Sequence, residues 1–162
     1  DVTGVQTCTL PISYKIPISV LVVIHTPDLQ LLLIERAGRP GFWQSVTGSV
    51  ERMDEPLELT AVREVAEETG IDATQFRLTN WRKQNLFEIF TRWSYRFAPG
   101  TTHNLEHVFS LEVPGRVPVT LAPNEHTQYQ WLPWQEAAEN VSRGQTVRRS
   151  ANCPADCATP VR

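Results

Sequence analysis

One stretch of the sequence, EPLELTAVREVAEETGI at residues 55–71, restricts the fold more than any other. Acidic residues and Pro56 stand at its start, and both are favoured in the first turn of an α-helix. Gly70 stands near its end, where a glycine commonly caps a helix. The stretch therefore predicts a helix that packs on a core through an apolar stripe.

The carboxylates of this predicted helix lie on the wrong side for a solvated acidic surface. With about 100° per residue, Glu64 and Glu68 fall within about 20° of Leu57, and Glu67 lies beside them. Like charges at this spacing cost roughly 0.2–0.5 kcal/mol per pair. A solvated acidic face, with Arg63 as an ion partner, would instead point away from the core. A hard divalent cation explains the cluster better, and Mg²⁺ is favoured over zinc because the cluster contains neither Cys nor His.

The sequence around this helix predicts an α/β fold with a mixed β-sheet. The stretches ISVLVVIHT and LQLLLIER are rich in strand-forming residues and predict a hairpin. Further strands are predicted at FRLTNW, EIFTRWSYRF, HVFSLEV and TQYQWL, and a short helix at PWQEAAENV with Pro133 in its first turn. Strands followed by a helix, more strands and a second helix are typical of this class.

Composition limits the partners and the compartment. A chain of 162 residues fits one domain with a sizeable core. A net charge of -3 without a long basic run argues against a nucleic acid polymer as partner. The longest apolar run, Val20–Ile24, is far shorter than the roughly 18 residues of a membrane span. Cys8, Cys153 and Cys157 show no paired spacing, which predicts free thiols in a reducing cytoplasm.

The two ends of the chain differ from its middle. Residues 1–13 lack the charged and apolar regions of a signal peptide, and we interpret them as a non-native-looking extension. Residues 142–162 show little apolar periodicity, which indicates an atypical tail, either disordered or frameshifted. The folded domain is therefore predicted at residues 14–141.

The sequence from Gly48 to Ile71 resembles the signature motif of the Nudix hydrolase family. The fixed positions of that motif are filled by Gly48, Glu55, Arg63, Glu64, Val65, Glu67, Glu68, Gly70 and Ile71. Six residues rather than five separate Gly48 from Glu55, so the loop carries one extra residue. The resemblance implies an α/β/α sandwich and hydrolysis of a nucleoside diphosphate linked to another group, with Mg²⁺ or alternatively Mn²⁺.

The same resemblance implies roles for individual residues of the motif. Glu64, Glu67 and Glu68 would hold the metal, with Glu64 as the candidate for the base that activates water. Metal ions are needed because water is a weak nucleophile and a polyphosphate repels it. Glu55 would lie in the outer shell, and Arg63 would fix the carboxylates by ion pairing. The implied catalytic set is Glu64, Glu67, Glu68, Arg63 and Glu55, and Gly48 joins the implied metal ligands.

Short sequence segments on either side of the motif narrow the resemblance to bacterial dihydroneopterin triphosphate pyrophosphohydrolases. These segments are YKIPISVLVVI, RPGFWQSVTGS, FEIF and EHTQYQWL, and the similarity extends from Tyr14 to Leu132. The implied reaction releases pyrophosphate, leaves dihydroneopterin monophosphate and belongs to folate synthesis. Glu125 would be a further metal ligand. The implied substrate contacts are Lys15, Arg36, Thr47, Phe87, Glu88, Ile89 and Phe90.

Each residue that the flanking segments suggest as a substrate contact or metal ligand can also be interpreted as purely structural. Lys15 and Arg36 are equally well interpreted as solvated charges at strand ends, although a triphosphate needs cationic partners. Residues 87–90 alternate as in an ordinary strand, where core packing is the usual role of Phe and Ile. Glu125 follows APN in a loop, where most acids are simply hydrated. The four histidines show no ligand spacing and receive no catalytic role: His25, His103, His107 and His126.

Two other classes of function stay open at this point. The first is a pyrophosphohydrolase that acts on dATP or a damaged nucleotide, because it would use the same metal helix with another base pocket. The second is a non-catalytic Nudix-like module that binds a nucleotide, although such modules often lose carboxylates that this chain retains. We expect a small-molecule triphosphate substrate, no membrane partner and a monomer.

Overall fold

The computed structural model describes residues 13–141 of the chain. This part contains seven β-strands, two α-helices and two short 3₁₀ helices. The strands are β1 (Ile18–His25), β2 (Gln30–Arg36), β3 (Trp43–Gln44), β4 (Val46–Ser49), β5 (Arg77–Glu88), β6 (His103–Glu112) and β7 (His126–Pro133). The helices are α1 (Leu57–Thr69) and α2 (Trp134–Asn140), and the 3₁₀ helices are Ala73–Gln75 and Thr91–Arg96. The described residues do not include Cys8, Cys153, Cys157, the tail at residues 142–162 or most of the extension at residues 1–13. The predictions made for these parts of the chain therefore lie outside what the structure describes.

The sheet is mixed, as predicted, and β1 lies inside it. Strand β1 pairs parallel with β6 along its whole length and antiparallel with β4 at Ser19 to Val22. Six of its eight residues are buried, because a strand covered on both faces needs apolar side chains throughout. The predicted hairpin of β1 and β2 exists, but the two strands pair only at His25 and Leu31. They then diverge: β4 occupies the edge of β1, and β7 pairs with β2.

The two α-helices cover opposite faces of this sheet. Val20, Val22 and Ile24 of β1 belong to the same buried cluster as Ala61 and Val65 of α1. The intervening Val23 instead packs in a second cluster that contains Ala137 of α2. Successive residues of a strand point to opposite faces, so the arrangement is the expected α/β/α sandwich.

Helix α1 confirms the prediction for residues 55–71. Pro56 is the residue immediately before its first turn, and Pro133 has the same place before α2. Gly70 ends α1 with φ of 70°, a left-handed conformation that glycine adopts without steric cost. Its backbone N–H donates to the carbonyl of Ala66, which closes the last turn. None of the helices in the described residues is long and apolar enough to cross a membrane.

The prediction of a strand at EIFTRWSYRF, residues 88–97, was wrong. The preceding strand β5 ends at Glu88, and Thr91–Arg96 forms a 3₁₀ helix. The aromatic residues have high strand propensity, but a strand also needs a partner. Strand β6 begins at His103, which pairs with Glu88, so none of the strands in the described residues lies beside Thr91–Arg96.

Candidate active site

The buried side of α1 carries two of the three predicted metal-binding carboxylates. Glu64 and Glu68 are only 9% and 4% exposed, whereas Glu67 is exposed. The backbone N–H of Thr47 donates to Glu68 Oε2 at 3.2 Å, which ties the helix to β4. The acids thus border the apolar stripe of α1, as the helical spacing predicted.

Arg63 holds the acids in place. Its Nη1 lies 2.7 Å from Glu64 Oε1 and 3.6 Å from Glu67 Oε2. Its Nε lies 3.5 Å from Glu55 Oε1, and its Nη2 donates to the carbonyl of Ser49 at 3.0 Å. One guanidinium therefore connects α1 to the loop before it, and Glu55 contacts the other acids only by way of Arg63 in these ion pairs.

Gly48 lies in contact with this cluster through its backbone. A Cβ atom built on Gly48 would overlap the carboxylate of Glu64. The φ angle of Gly48 lies outside the left-handed region, so close approach rather than backbone conformation requires glycine here. The main chain of β4 thus lies directly against the carboxylate of Glu64.

His126 completes the cluster, although the sequence analysis gave it no role. Ligand atoms of Glu68, Glu125 and His126 all lie within 4.8 Å of one another. His126 is buried, and its Nε2 lies 3.2 Å from Glu68 Oε1. The interpretation that no histidine belongs to a ligand-spaced cluster was therefore wrong, because β7 brings His126 next to α1. The signal available in the sequence was its position directly after Glu125.

The electrostatics of the cluster fit a bound cation. Burial raises the pKa of Glu64 to about 7, with Arg63 opposing that shift and Glu68 and Glu67 adding to it. Burial also raises the pKa of Glu68, against the lowering effects of His126 and the Thr47 N–H. Within the described residues, the buried Nδ1 of His126 has no hydrogen-bond partner. Buried carboxylates beside one imidazole are a donor set that suits a divalent cation. The presence of His126 removes the reason given above for preferring Mg²⁺ over zinc, which was that the cluster contains no His.

Four cations line the same cavity as these acids. The cavity has a volume of about 770 Å³ and is lined by Lys15, Arg36 and Arg96 as well as by the carboxylates and Arg63. Burial and then Arg96 lower the pKa of Lys15, Glu64 opposes the shift, and Arg36 lowers the pKa further. The backbone N–H of Lys15 donates to the carbonyl of Arg96 at 2.8 Å. Arg96 had no signal in the sequence, because its segment was predicted as a strand. A cavity with acids and cations on its walls can hold a metal together with a phosphate chain.

A second, smaller cavity of about 150 Å³ adjoins the first. The two share Lys15, Arg36, Thr47 and Arg96, so they form one continuous site. Its aromatic and apolar walls are Phe87, Ile89, Phe90, Trp93 and Phe97. Three of the four residues predicted at 87–90 therefore line it, whereas Glu88 is exposed and is not among its walls. This cavity can hold a flat ring beside the larger cavity.

Glu35 fixes the segment that carries Glu125 and His126. Its Oε1 accepts from the Gly41 N–H at 2.6 Å, and its Oε2 accepts from Thr127 Oγ1 at 2.8 Å and Gln128 Nε2 at 3.0 Å. The Gly41 N–H is the largest of the effects that hold the pKa of Glu35 below its ordinary value. The carboxylate therefore joins β2 to the start of β7 at the edge of the site.

We expect Glu35→Gln to destabilise the fold in a pH-dependent way. Because the folded pKa lies below the ordinary value of 4.5, the carboxylate stabilises the fold above that pH and loses this effect as the pH falls through the folded pKa. The urea midpoint of Glu35→Gln should lie below the wild-type midpoint at pH 7, and the two should converge in acid. Glu139→Gln, at an exposed site on α2, is the matched control. A pH-independent difference would contradict this account.

Comparison with known proteins identifies the family of this chain. A model of the NUDIX domain matches residues 15–150. Dihydroneopterin triphosphate diphosphatase of Escherichia coli K12 is 43% identical over 128 residues, which cover 77% of this chain and 83% of that protein. The Haemophilus influenzae protein of the same name is 39% identical over 137 residues, or 82% and 84% of the two chains. The structure of the E. coli dihydroneopterin triphosphate pyrophosphohydrolase superposes with a TM-score of 0.74 at 39% identity, covering 85% of this chain and 93% of that one. The chain therefore belongs to the Nudix family.

Proposed function

We propose that this protein is a metal-dependent pyrophosphohydrolase that converts dihydroneopterin triphosphate to dihydroneopterin monophosphate and pyrophosphate in folate synthesis. The observation that carries the proposal is the continuous site, in which buried carboxylates, four cations and an aromatic cavity adjoin. The relatives named for this activity support the choice of substrate.

The phosphate chain binds to the cationic part of the larger cavity. Lys15, Arg36 and Arg96 supply charge-assisted hydrogen bonds to the phosphate oxygens, and the two guanidinium groups can bind oxygens in pairs. Thr47 lies between the two cavities, since it lines both. The pterin ring enters the aromatic cavity, whose walls include the rings of Phe87 and Phe90.

The carboxylate cluster holds the metal in this proposal. The proposed ligands are Glu64, Glu67, Glu68, Glu125 and the Gly48 carbonyl. When bound, Mg²⁺ supplies charge neutralisation on the phosphates and lowers the pKa of water, and Mn²⁺ is the alternative ion. Among the residues of the chain, Glu64 accepts the proton of the attacking water, and Arg63 keeps its carboxylate in position. The anhydride bond between the first and second phosphates breaks, and pyrophosphate leaves.

Pyrophosphate release in the presence of Mg²⁺ tests the proposal. Dihydroneopterin triphosphate is compared with the common nucleoside triphosphates, and chelation with EDTA provides the metal-free control. We expect a clear preference for the pterin substrate and loss of activity on chelation. Equal or faster release from dATP would replace the proposed substrate with a nucleotide. Binding of triphosphates without hydrolysis would identify a non-catalytic module.

We also propose the partner, the compartment and the oligomeric state. The partner is a small triphosphate, which fits the two cavities, and the protein acts on it in the cytoplasm as a monomer. The proposed catalytic domain is residues 14–141. Sedimentation of the full chain tests the monomer directly, since a dimer would have twice the mass of 18.4 kDa.

A further inference from the structure

Three arginines meet at the ring of Trp93, one of the walls of the aromatic cavity. The guanidinium carbons of Arg92, Arg36 and Arg39 lie 4.7, 5.6 and 5.9 Å from the centre of this ring. Arg36 lines both cavities, whereas Arg39 and Arg92 line neither. This arginine cluster therefore borders the substrate site and extends beyond its walls.

Two segments of the chain form the arginine cluster, and backbone hydrogen bonds fix both. Arg39 stands in the turn after β2, where the N–H of Phe42 donates to its carbonyl at 3.0 Å. Arg92 belongs to the 3₁₀ helix after β5, where the N–H of Trp93 donates to the carbonyl of Phe90 at 2.8 Å. The guanidinium carbon of Arg39 lies 4.3 Å from the ring centre of Phe42, and that of Arg92 lies 5.2 Å from the ring centre of Phe90. Backbone and aromatic contacts therefore preorganise the cluster.

The positive charge of the cluster has no acidic partner among the described residues. None of its guanidinium groups forms an ion pair with a carboxylate in residues 13–141. Burial lowers the pKa of Arg39, and Arg92 and then Arg36 lower it further, so like charges act on this group. Within the same range, the buried Nη1 of Arg39 has no hydrogen-bond partner. Cation–π contacts hold a guanidinium in place, but they do not pair its N–H donors or balance its charge.

We propose that Arg36, Arg39 and Arg92 form a second anion site, which binds phosphate or diphosphate ions from solution. Planar guanidinium groups bind phosphate oxygens in pairs, so such an ion pairs the open donors and offsets the repulsion within the cluster. A cluster of cations without a carboxylate needs no metal to hold the anion. In the larger cavity, by contrast, a phosphate lies among buried acids, whose charge a metal ion must offset.

Arg36 connects the second anion site to the substrate. Because Arg36 lines both cavities and belongs to the cluster, an ion in the second site competes with the substrate for its guanidinium. The diphosphate released by the proposed reaction is one source of such an ion, and phosphate from solution is the other. Occupation of the second site therefore inhibits the enzyme, an effect that rests on the proposed function.

Metal-free titration with pyrophosphate tests the second anion site. In EDTA, calorimetry of the full chain should show binding, and Arg39→Gln and Arg92→Gln should each raise the Kd about 10-fold through loss of a charge-assisted hydrogen bond. Arg39→Lys keeps the charge without the paired donors, so its Kd should fall between those of Arg39→Gln and the wild type. Lys15→Gln removes a cation of the larger cavity and should leave the Kd within about 2-fold of the wild type. Titration with phosphate should give the same order of variants at weaker affinity.

The matched control is Arg116→Gln. Arg116 is exposed, its Nη2 donates to Gln30 Oε1 at 2.9 Å, and it lines neither cavity. The substitution removes the same charge elsewhere, so it should keep the wild-type Kd. Equal weakening by Arg116→Gln would mean that overall charge attracts the ion, and wild-type binding by Arg39→Gln would place the ion in the larger cavity. Either result would overturn the proposal, as would a wild type that does not bind pyrophosphate.

Inhibition of turnover tests the link through Arg36 and separates this inference from the proposed function. With dihydroneopterin triphosphate and Mg²⁺, the inhibition constant of pyrophosphate should rise on the order of 10-fold in Arg39→Gln. KM should change much less, because Arg39 lines neither cavity. An equal rise in KM would assign Arg39 to the phosphates of the substrate itself and overturn the second site. If the wild type does not hydrolyse the pterin triphosphate, the proposed function fails, while the metal-free titration still tests the arginine cluster.

Discussion

Replacing Glu68 with Gln should lower kcat on the order of 1,000-fold while the fold stays intact. Glu68 is 4% exposed and lies at the centre of the cluster, with the Thr47 N–H on one oxygen and His126 on the other. A neutral amide is a poor ligand for a hard divalent cation, so metal affinity and turnover should both fall. The amide oxygen of Gln can still accept from Thr47, and its NH₂ group can donate to His126, which keeps the local packing.

Two controls isolate the metal site from the rest of α1. Glu58→Gln changes an exposed acid on the same helix and should leave kcat and its Mg²⁺ dependence at wild-type values. Thermal unfolding of Glu68→Gln should match the wild type within a few degrees in the absence of metal. Turnover by Glu68→Gln at the wild-type rate, at any Mg²⁺ concentration, would contradict the assignment of Glu68 as a ligand.

The helix and its acidic face were predictable because their signals are local. The spacing of Glu64 and Glu68 relative to Leu57 depends only on the helical repeat, so periodicity alone placed both carboxylates beside the core. Capping by Gly70 is equally local. The class of fold followed from the order of strands and helices, which the sequence shows directly.

The other walls of the site depend on which strands become neighbours, and that was not visible in the sequence. His126 reaches Glu68 because β7 pairs with β2, across a long separation in the chain. Arg96 and Trp93 line the site because β5 ends at Glu88 and the chain then forms the 3₁₀ helix Thr91–Arg96. The strand propensity of these residues favoured a strand, but the pairing of β5 with β6 ends before them.

Gly48→Ala should lower kcat roughly 100-fold through geometry alone, with little loss of stability. The backbone of Gly48 suits alanine, but the new Cβ would overlap the carboxylate of Glu64. The end of a flexible side chain moves more easily than the sheet, so Glu64 should swing away and lose its 2.7 Å contact with Arg63. Because metal geometry must be held to about 0.5 Å, this movement should weaken Mg²⁺ binding as well as turnover.

The matched control for Gly48→Ala is a glycine that nothing approaches. Gly115 has no heavy atom within 4 Å of a built Cβ, and its φ lies outside the left-handed region. Gly115→Ala should therefore retain wild-type kcat and Mg²⁺ affinity. Isothermal titration with Mg²⁺ and initial rates on the same preparations measure both quantities. Full activity in Gly48→Ala would mean that the carboxylate of Glu64 can move without cost to the reaction, and Glu64 would then be neither ligand nor base.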